Sequence, residues 1–241
     1  YKLGTFTIFA TWFGAETCIG SAGAIYERGL SGGHGDPFGY GLCILLMAAF
    51  LARPLWNRGL TTLADLFAQR YGASVEKLAV LIMIPASVLW ASAQVRAFGQ
   101  VIASASGFDV TWAITFAAAV VIAYTVWGGL LADAWTDLIQ GLVLLAGLMM
   151  LFVAVWRDGG MAHLASVAPV RFDPFAGRSV LENAEAWLIP ICGSVVAAEL
   201  VARVIACRSP QVAQRSAFGA AGLYLAAGLI PAVLGLVGFH L

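Results

Sequence analysis

The sequence predicts an all-α, polytopic helical membrane protein, and two observations carry that expectation. Of 241 residues, 61% are hydrophobic and only 11% are charged, against about a quarter charged in soluble domains. A chain this apolar lacks the polar surface to meet water, whereas lipid accepts apolar faces as solvent. Second, the apolar residues gather into runs near the ~20 residues that a spanning helix needs.

Seven stretches qualify: 3–26, 38–56, 78–106, 110–127, 133–156, 186–207 and 216–241. The interior of the first, WFGAETCIGSAG (12–23), mixes small and polar residues. Such a helix unwinds cheaply and exposes carbonyls to a cation. The link LSGGHGDP (30–37) reads as a turn. The third stretch is long, which implies tilt or a protruding end, and Pro85 is placed to kink it. The fourth passes into the fifth within WGGLLADAWTD (127–137), and Gly128-Gly129 offers a place to reverse. The one sizeable extramembrane link, 157–185, contains Asp173-Pro174 and Gly177 and is too short for a domain of its own. Residues 1–241 are therefore expected to form a single transmembrane domain. Tyr1 stands a few residues before an apolar run, so a partial or processed chain is expected, with no targeting signal in view.

Charge sets the expected orientation. Lys2, Arg53, Arg58, Arg70, Lys77, Arg208 and Arg215 fall on one side, and Arg28, Arg157, Arg171 and Arg178 on the other. Seven against four puts the start of the chain in the cytoplasm, in a membrane of the bacterial inner (plasma) type. Zero formal net charge and the lack of a basic patch argue against nucleic acid. Cys18, Cys43, Cys192 and Cys207 have no metal-type spacing and read as small core residues.

Charges inside spans cost a few kcal/mol each and are functional candidates by default. Glu16 lies near the middle of the first span, flanked by Gly14, Gly20 and Gly23. Glu199 lies in the sixth, Gln94 and Arg96 in the third, and Asp133 and Asp137 at the start of the fifth. For Asp133 and Arg203, near span ends, pairing or snorkelling accounts for the charge as well as function does. Glu16 has no short snorkelling path. Gly14-Ala15-Glu16 and Ala197-Ala198-Glu199 stand five spans apart and so cross in opposite senses, a pattern that points to interrupted helices in two inverted halves.

These residues resemble a family. YTVWGGLLADAWTDLIQG (124–141) is similar to the signature of the sodium:solute symporter family, with its Tyr-Thr, Gly-Gly and Trp-Thr-Asp…Gln elements. ATWFGAETCIGSAGAIYERG (10–29) resembles that family's first core helix, and TTLADLFAQRYG (61–72) its intracellular segment. The Gln94 region resembles the third core helix. The resemblance implies a LeuT-like inverted-repeat bundle, incomplete here: 1–156 as the first five-helix repeat and 186–241 as the start of the second. It further implies Ala10 and Phe13 as carbonyl donors to a sodium ion, whose hydroxyl ligands would come from an eighth helix expected outside these residues. Asp137 matches an aspartate implicated in cation coupling. Glu16 and Thr17 would lie near the substrate with Gln94 facing them. The sequence departs from the pattern at Trp12, at Ala202-Arg203 and at Glu199. An extra acid such as Glu199 is also a candidate substrate contact or proton carrier.

The leading expectation is a secondary transporter that couples a small organic solute to sodium by alternating access, with no enzyme activity and no cofactor beyond the coupling ion, sodium or a proton. A sensor module joined to a fused or associated histidine-kinase domain is a second reading, a proton-coupled carrier a third, and a channel a fourth. An intramembrane protease is the weakest. Gly29-Leu30-Ser31-Gly32 offers a serine, but a base must lie within reach, and His34, His163 and His240 fall in loops or at the far end. No HExxH is present. An acid at position 16 fits an amine or polyol better than a bare anion.

Overall fold

The computed structural model describes residues 1–14 and 16–238, and the side chains of Glu16 and Met161 lie outside the described residues. Ala15, the C-terminal end of the seventh expected stretch and His240 are therefore outside the described residues too.

Helices follow the apolar runs, as lipid requires of backbone that must satisfy itself. They are α1 (Lys2–Trp12), α2 (Ser21–Arg28), α3 (Phe38–Leu46), α4 (Ala52–Asn57), α5 (Leu63–Tyr71), α6 (Ala73–Ser106), α7 (Val110–Val155), α8 (Met161–Ser166), α9 (Val180–Leu188), α10 (Ala198–Ile205) and α11 (Pro210–Val237). Among the described residues, four helical stretches are long and apolar enough to cross a membrane: Thr17–Asn57, Ala73–Ser106, Val110–Gly160 and Pro210–Val237. A fifth is a pair, Val180–Gly193 and Ala198–Ile205, bent by 41°. The chain is an all-α polytopic membrane protein.

Seven separate stretches are expected from hydropathy, and the difference lies in the links. The turn between the expected first and second spans is itself helical, a 3-10 segment at Gly29–His34. Between the expected fourth and fifth, only Gly129 leaves helical geometry, at φ 54° and ψ −153°, a conformation that glycine adopts without steric cost. α7 is thus two helical segments meeting at the Gly128-Gly129 pair, with no open loop between them. α6 runs through Pro85 as one helix.

The chain divides into two compact units, 1–59 with 137–241, and 60–136. In the first unit α11 is the centre, with α1, α2, α3 and α4 packed against it. Its buried face includes Ala213, Ala217, Ala220, Ala221, Tyr224, Gly228 and Ala232. Lipid gives no hydrophobic drive to helix association, so close approach between small residues must supply it. Gly4 lies against Ser216, Gly219 against Thr5, Gly41 against Leu225 and Gly228 against Pro37.

Irregular backbone within this unit is paired by side chains. A π-turn, Met47–Leu51, joins α3 to α4, and the Ala52 N–H closes it on the Met47 carbonyl. Pro54, which follows inside α4, has no N–H to return to that turn. The carbonyl of Ala48, a buried residue of the turn, accepts from the Gln214 amide of α11 at 3.0 Å. Trp56 Nε1 likewise donates to the Cys207 carbonyl just past α10, at 2.7 Å.

In the second unit α5 packs on α6, and Gly99 meets Ile114 of α7. Much of α6 presents large apolar side chains outward, Leu81, Ile82, Ile84 and Leu89 among them, as a lipid-facing helix does. Asp65 accepts the backbone N–H groups of Thr61 and Thr62 at the start of α5. Those bonds hold its carboxyl below the ordinary carboxylate range, so this helix start keeps its cap until pH falls through the lowered value. Glu182 accepts the Ser179 N–H in the same way at the start of α9, in the first unit.

A side chain at Gly228 must displace Pro37. Gly228→Val is expected to destabilise the purified protein by about 1–3 kcal/mol, read as a lowered midpoint in a detergent thermal melt, and an unchanged midpoint would contradict this packing.

Candidate functional site

α1 stops at Trp12 because the chain leaves the helical region at Phe13, with φ −86° and ψ 91°. The Gly14 that follows has open space at its α-carbon. Helicity resumes as a π-turn, Glu16–Gly20, running into α2. The first span is thus interrupted within the segment whose small and polar residues predict it. A helix leaves the carbonyls of its last turn without partners in the helix. Of those in α1, Phe9 receives the Phe13 N–H at 2.9 Å and Trp12 faces the Thr17 hydroxyl at 3.1 Å. Ala10 is half-buried and Phe13 buried, beside the break.

A knot of oxygens lies at this break. Thr17 Oγ1, fully buried, is 3.2 Å from Asp36 Oδ1 and 3.1 Å from Tyr224 Oη. Tyr224 also donates to the same Asp36 oxygen. Ser21 donates to the Thr17 carbonyl, which steadies the turn. Rings wall the knot: Phe13 is stacked on Phe9 and lies edge-on to Tyr224, with centroids 4.6 and 5.1 Å apart. Trp12 and Tyr40 meet edge-to-face at 5.4 Å. Sequence reasoning does not single out Asp36 or Tyr224. Asp36 sits in a link that glycine and proline mark as a turn, and one tyrosine in an apolar helix looks like core. The usable signal is an acid immediately before the proline that leads into α3.

Asp137, expected from its motif, is buried in a second network. Its Oδ2 accepts from Thr7 Oγ1 at 2.5 Å and meets the Arg203 guanidinium at 3.4 Å. Arg203 Nε also donates to Thr11 Oγ1 at 3.2 Å, and Thr11 donates to the Thr7 carbonyl at 2.6 Å. Thus α1, α7 and α10 are joined by one buried ion pair with two hydroxyls. For Arg203 the pairing alternative is the observed one.

The sixth span is interrupted as well. The chain is extended at Ala197 (φ −58°, ψ 138°), and α10 begins at Ala198 with Glu199 in its first turn. A carboxylate there is favoured by the helix dipole. The side chain of Glu16 lies outside the described residues. Gln94, half-buried, and Arg96, exposed, belong to α6 in the other unit. Asp133 is half-buried, with its carbonyl receiving the Thr136 hydroxyl. Among the described residues no group of three or more His, Cys, Asp and Glu is placed to hold a metal. The donors at the α1 break are hydroxyl, carboxylate and carbonyl oxygens, which suit hard cations.

Ser31 lacks the geometry of an activated nucleophile. Its hydroxyl donates to the Arg28 carbonyl, and His34 Nδ1 faces the Ser31 carbonyl rather than its Oγ. The link 157–185 instead folds over the end of α2. Arg171 Nη2 donates to the Ile25 and Tyr26 carbonyls at 3.0 and 2.5 Å, and Arg178 Nη1 to that of Ser31 at 3.0 Å. Gly29, at φ 69°, lets the Arg171 backbone lie against it.

The family model described as the sodium:solute symporter family matches residues 3–240. The high-affinity choline transporter 1 of Torpedo marmorata is 29% identical over 96% of the chain and 41% of its own length. Its human counterpart is 33% identical over 64% of the chain and 26% of its own length. The high-affinity proline transporter PutP of Bacillus subtilis is 29% identical over 68% and 37%. The chain therefore spans roughly a quarter to two-fifths of the length of the relatives it matches.

The Asp137 network makes a specific energetic claim. Arg203→Met should destabilise more than Arg203→Met combined with Asp137→Leu, because the single change strands a buried carboxylate. A double-mutant cycle on thermal unfolding is expected to give a coupling of about 0.5–3 kcal/mol, and additive losses would contradict the pair.

Proposed function

We propose, from the premise that the chain belongs to the sodium:solute symporter family, that it is the part of a sodium-coupled carrier in which coupling ion and solute meet at interrupted helices. The observation that supports this most is the break of α1 at Phe13–Gly14, beside a carboxylate, two hydroxyls and a helix-end carbonyl. Broken helices supply transporters with unpaired carbonyls for cations and with helix termini for polar solutes. The sixth span is broken too, with Glu199 immediately after its bend. Glu16, Thr17 and Glu199 are the proposed solute contacts, and the Ala10 and Phe13 carbonyls with Asp137 the proposed cation contacts.

The proposed solute is a small organic amine, cationic or zwitterionic. Acidic side chains at both breaks favour a positive group, and the Trp12–Tyr40 pair offers aromatic faces to it. Choline and proline, in the names of the relatives, are both of this kind. The lysine and arginine bias supports a cytoplasmic start of the chain.

Proteoliposomes carrying the complete protein provide the test. Uptake of labelled choline, or of proline, should saturate and follow an inward sodium gradient. A pH gradient without sodium should drive none; uptake on the pH gradient alone would make the proton, not sodium, the coupling ion. Glu16→Ala should abolish uptake while leaving membrane insertion intact, and wild-type uptake by that variant would remove Glu16 from the site.

A further inference from the structure

We propose that Lys2, Arg53, Arg58, Arg208 and Arg215 form one surface that docks the anionic phosphate headgroups of membrane lipid, with the acyl chains against Phe50 and Phe218. The surface uses none of the groups assigned above to ion or solute.

No stretch of the sequence is itself basic; the fold assembles the charge from three segments. Two of them meet where Trp56 Nε1 donates to the Cys207 carbonyl at 2.7 Å. Trp56 lies between Arg53 and Arg58, and Arg208 follows Cys207. The third segment joins where the Ser216 hydroxyl donates to the Tyr1 carbonyl at 3.1 Å. Arg215 and Lys2 adjoin that contact, and a side chain at Gly4 would meet both Ser216 and Cys207. All five cations are exposed. The segments that carry them, 1–9, 48–59 and 203–218, contain no acidic residue. The nearby part of α7 reaches α1 through Gly141 and Phe6, and its acid, Asp137, is buried and engaged by Arg203. The potential at this end of the unit is therefore positive.

Position and chemistry select lipid as the partner. The helical stretch Thr17–Asn57 ends here and Pro210–Val237 begins here, so the cations stand at one membrane surface. Phe50 precedes Arg53 by three residues, and Phe218 follows Arg215 by three. Each ring thus lies about one turn deeper in the membrane than its arginine, and both rings are exposed. Cation above and hydrocarbon-facing ring below match the phosphate and acyl chains of a phospholipid. Four of the five cations are arginine, whose planar fork suits phosphate oxygens. An acidic peptide would match the charge but not the rings. Positive charge near span ends serves orientation wherever it lies. Its collection at one end of one unit, over exposed aromatic rings, is what headgroup binding asks for.

The test titrates the complete protein, purified in neutral detergent, with dioleoylphosphatidylglycerol and follows the thermal midpoint, which rises as a ligand binds the folded state. The rise is expected to saturate, to shrink at high salt, and to be absent with dioleoylphosphatidylcholine, which has the same chains. Arg53→Gln combined with Arg208→Gln is expected to weaken the apparent affinity about fivefold for each charge removed. Arg53→Lys with Arg208→Lys keeps both charges and is expected to stay closer to the wild type than the glutamine pair does. Equal rises from the two lipids, or wild-type affinity in the glutamine pair, overturn the proposal. An equal rise from glycerol 3-phosphate, which has the charge but no chains, overturns lipid as the occupant. Should the glutamine pair fail to fold, wild-type affinity in Arg215→Gln alone overturns the surface.

Discussion

Backbone in hydrocarbon must pair every N–H and C=O within the protein, and the structure is organised around that constraint. Where helices run unbroken it is met automatically. At three places where they widen or stop, a side chain meets the backbone. Gln214 serves a carbonyl of the π-turn between α3 and α4, Trp56 serves the one past α10, and Thr17 serves the last carbonyl of α1. The breaks are therefore not gaps in the fold. They are the places where polar side chains have a structural reason to sit within an apolar bundle, and the same side chains are the material from which ion and solute sites are made.

α11 holds the first unit together because it is narrow. Alanine and glycine line its buried face, so α1, α2 and α3 approach its backbone closely. Tyr224 is the largest side chain on it. Its ring packs against Phe9 and Phe13, and its hydroxyl reaches Asp36 and Thr17. One residue thus links the packing of the central helix to the polar knot at the α1 break. The Asp137–Arg203 pair ties the intact half of α1 to α7 and α10 in a separate way. Each half of the interrupted span is anchored by its own network.

How much of this can be read from sequence depends on range. The apolar runs, the break after Phe13 and the extended residue before α10 follow from local composition, and local composition is what a sequence displays. Asp137 is legible through its motif, but its partners are not, since Thr7 and Arg203 lie 130 and 66 residues away. Asp36 and Tyr224 escape for the same reason: each is ordinary among its neighbours and acquires a role only when α11 packs beside the 35–37 link. The place of the fourth-to-fifth junction is legible in Gly128-Gly129, but its extent is not. The five residues 128–132 read as a link between two spans, whereas a single glycine of positive φ suffices. Hydropathy measures affinity for lipid; it does not measure the local hydrogen bonding that decides how far a helix continues.

The link 157–185 has a mechanical consequence. Arg171 grips the last carbonyls of α2, with its own backbone pressed on Gly29, and Arg178 grips the turn that follows. The end of α2 cannot shift alone: either this surface segment travels with it, or charge-assisted hydrogen bonds break. The arginine clasp works as a handle fixed to a buried rod, so displacement deep in the interrupted span is carried to the protein's exterior.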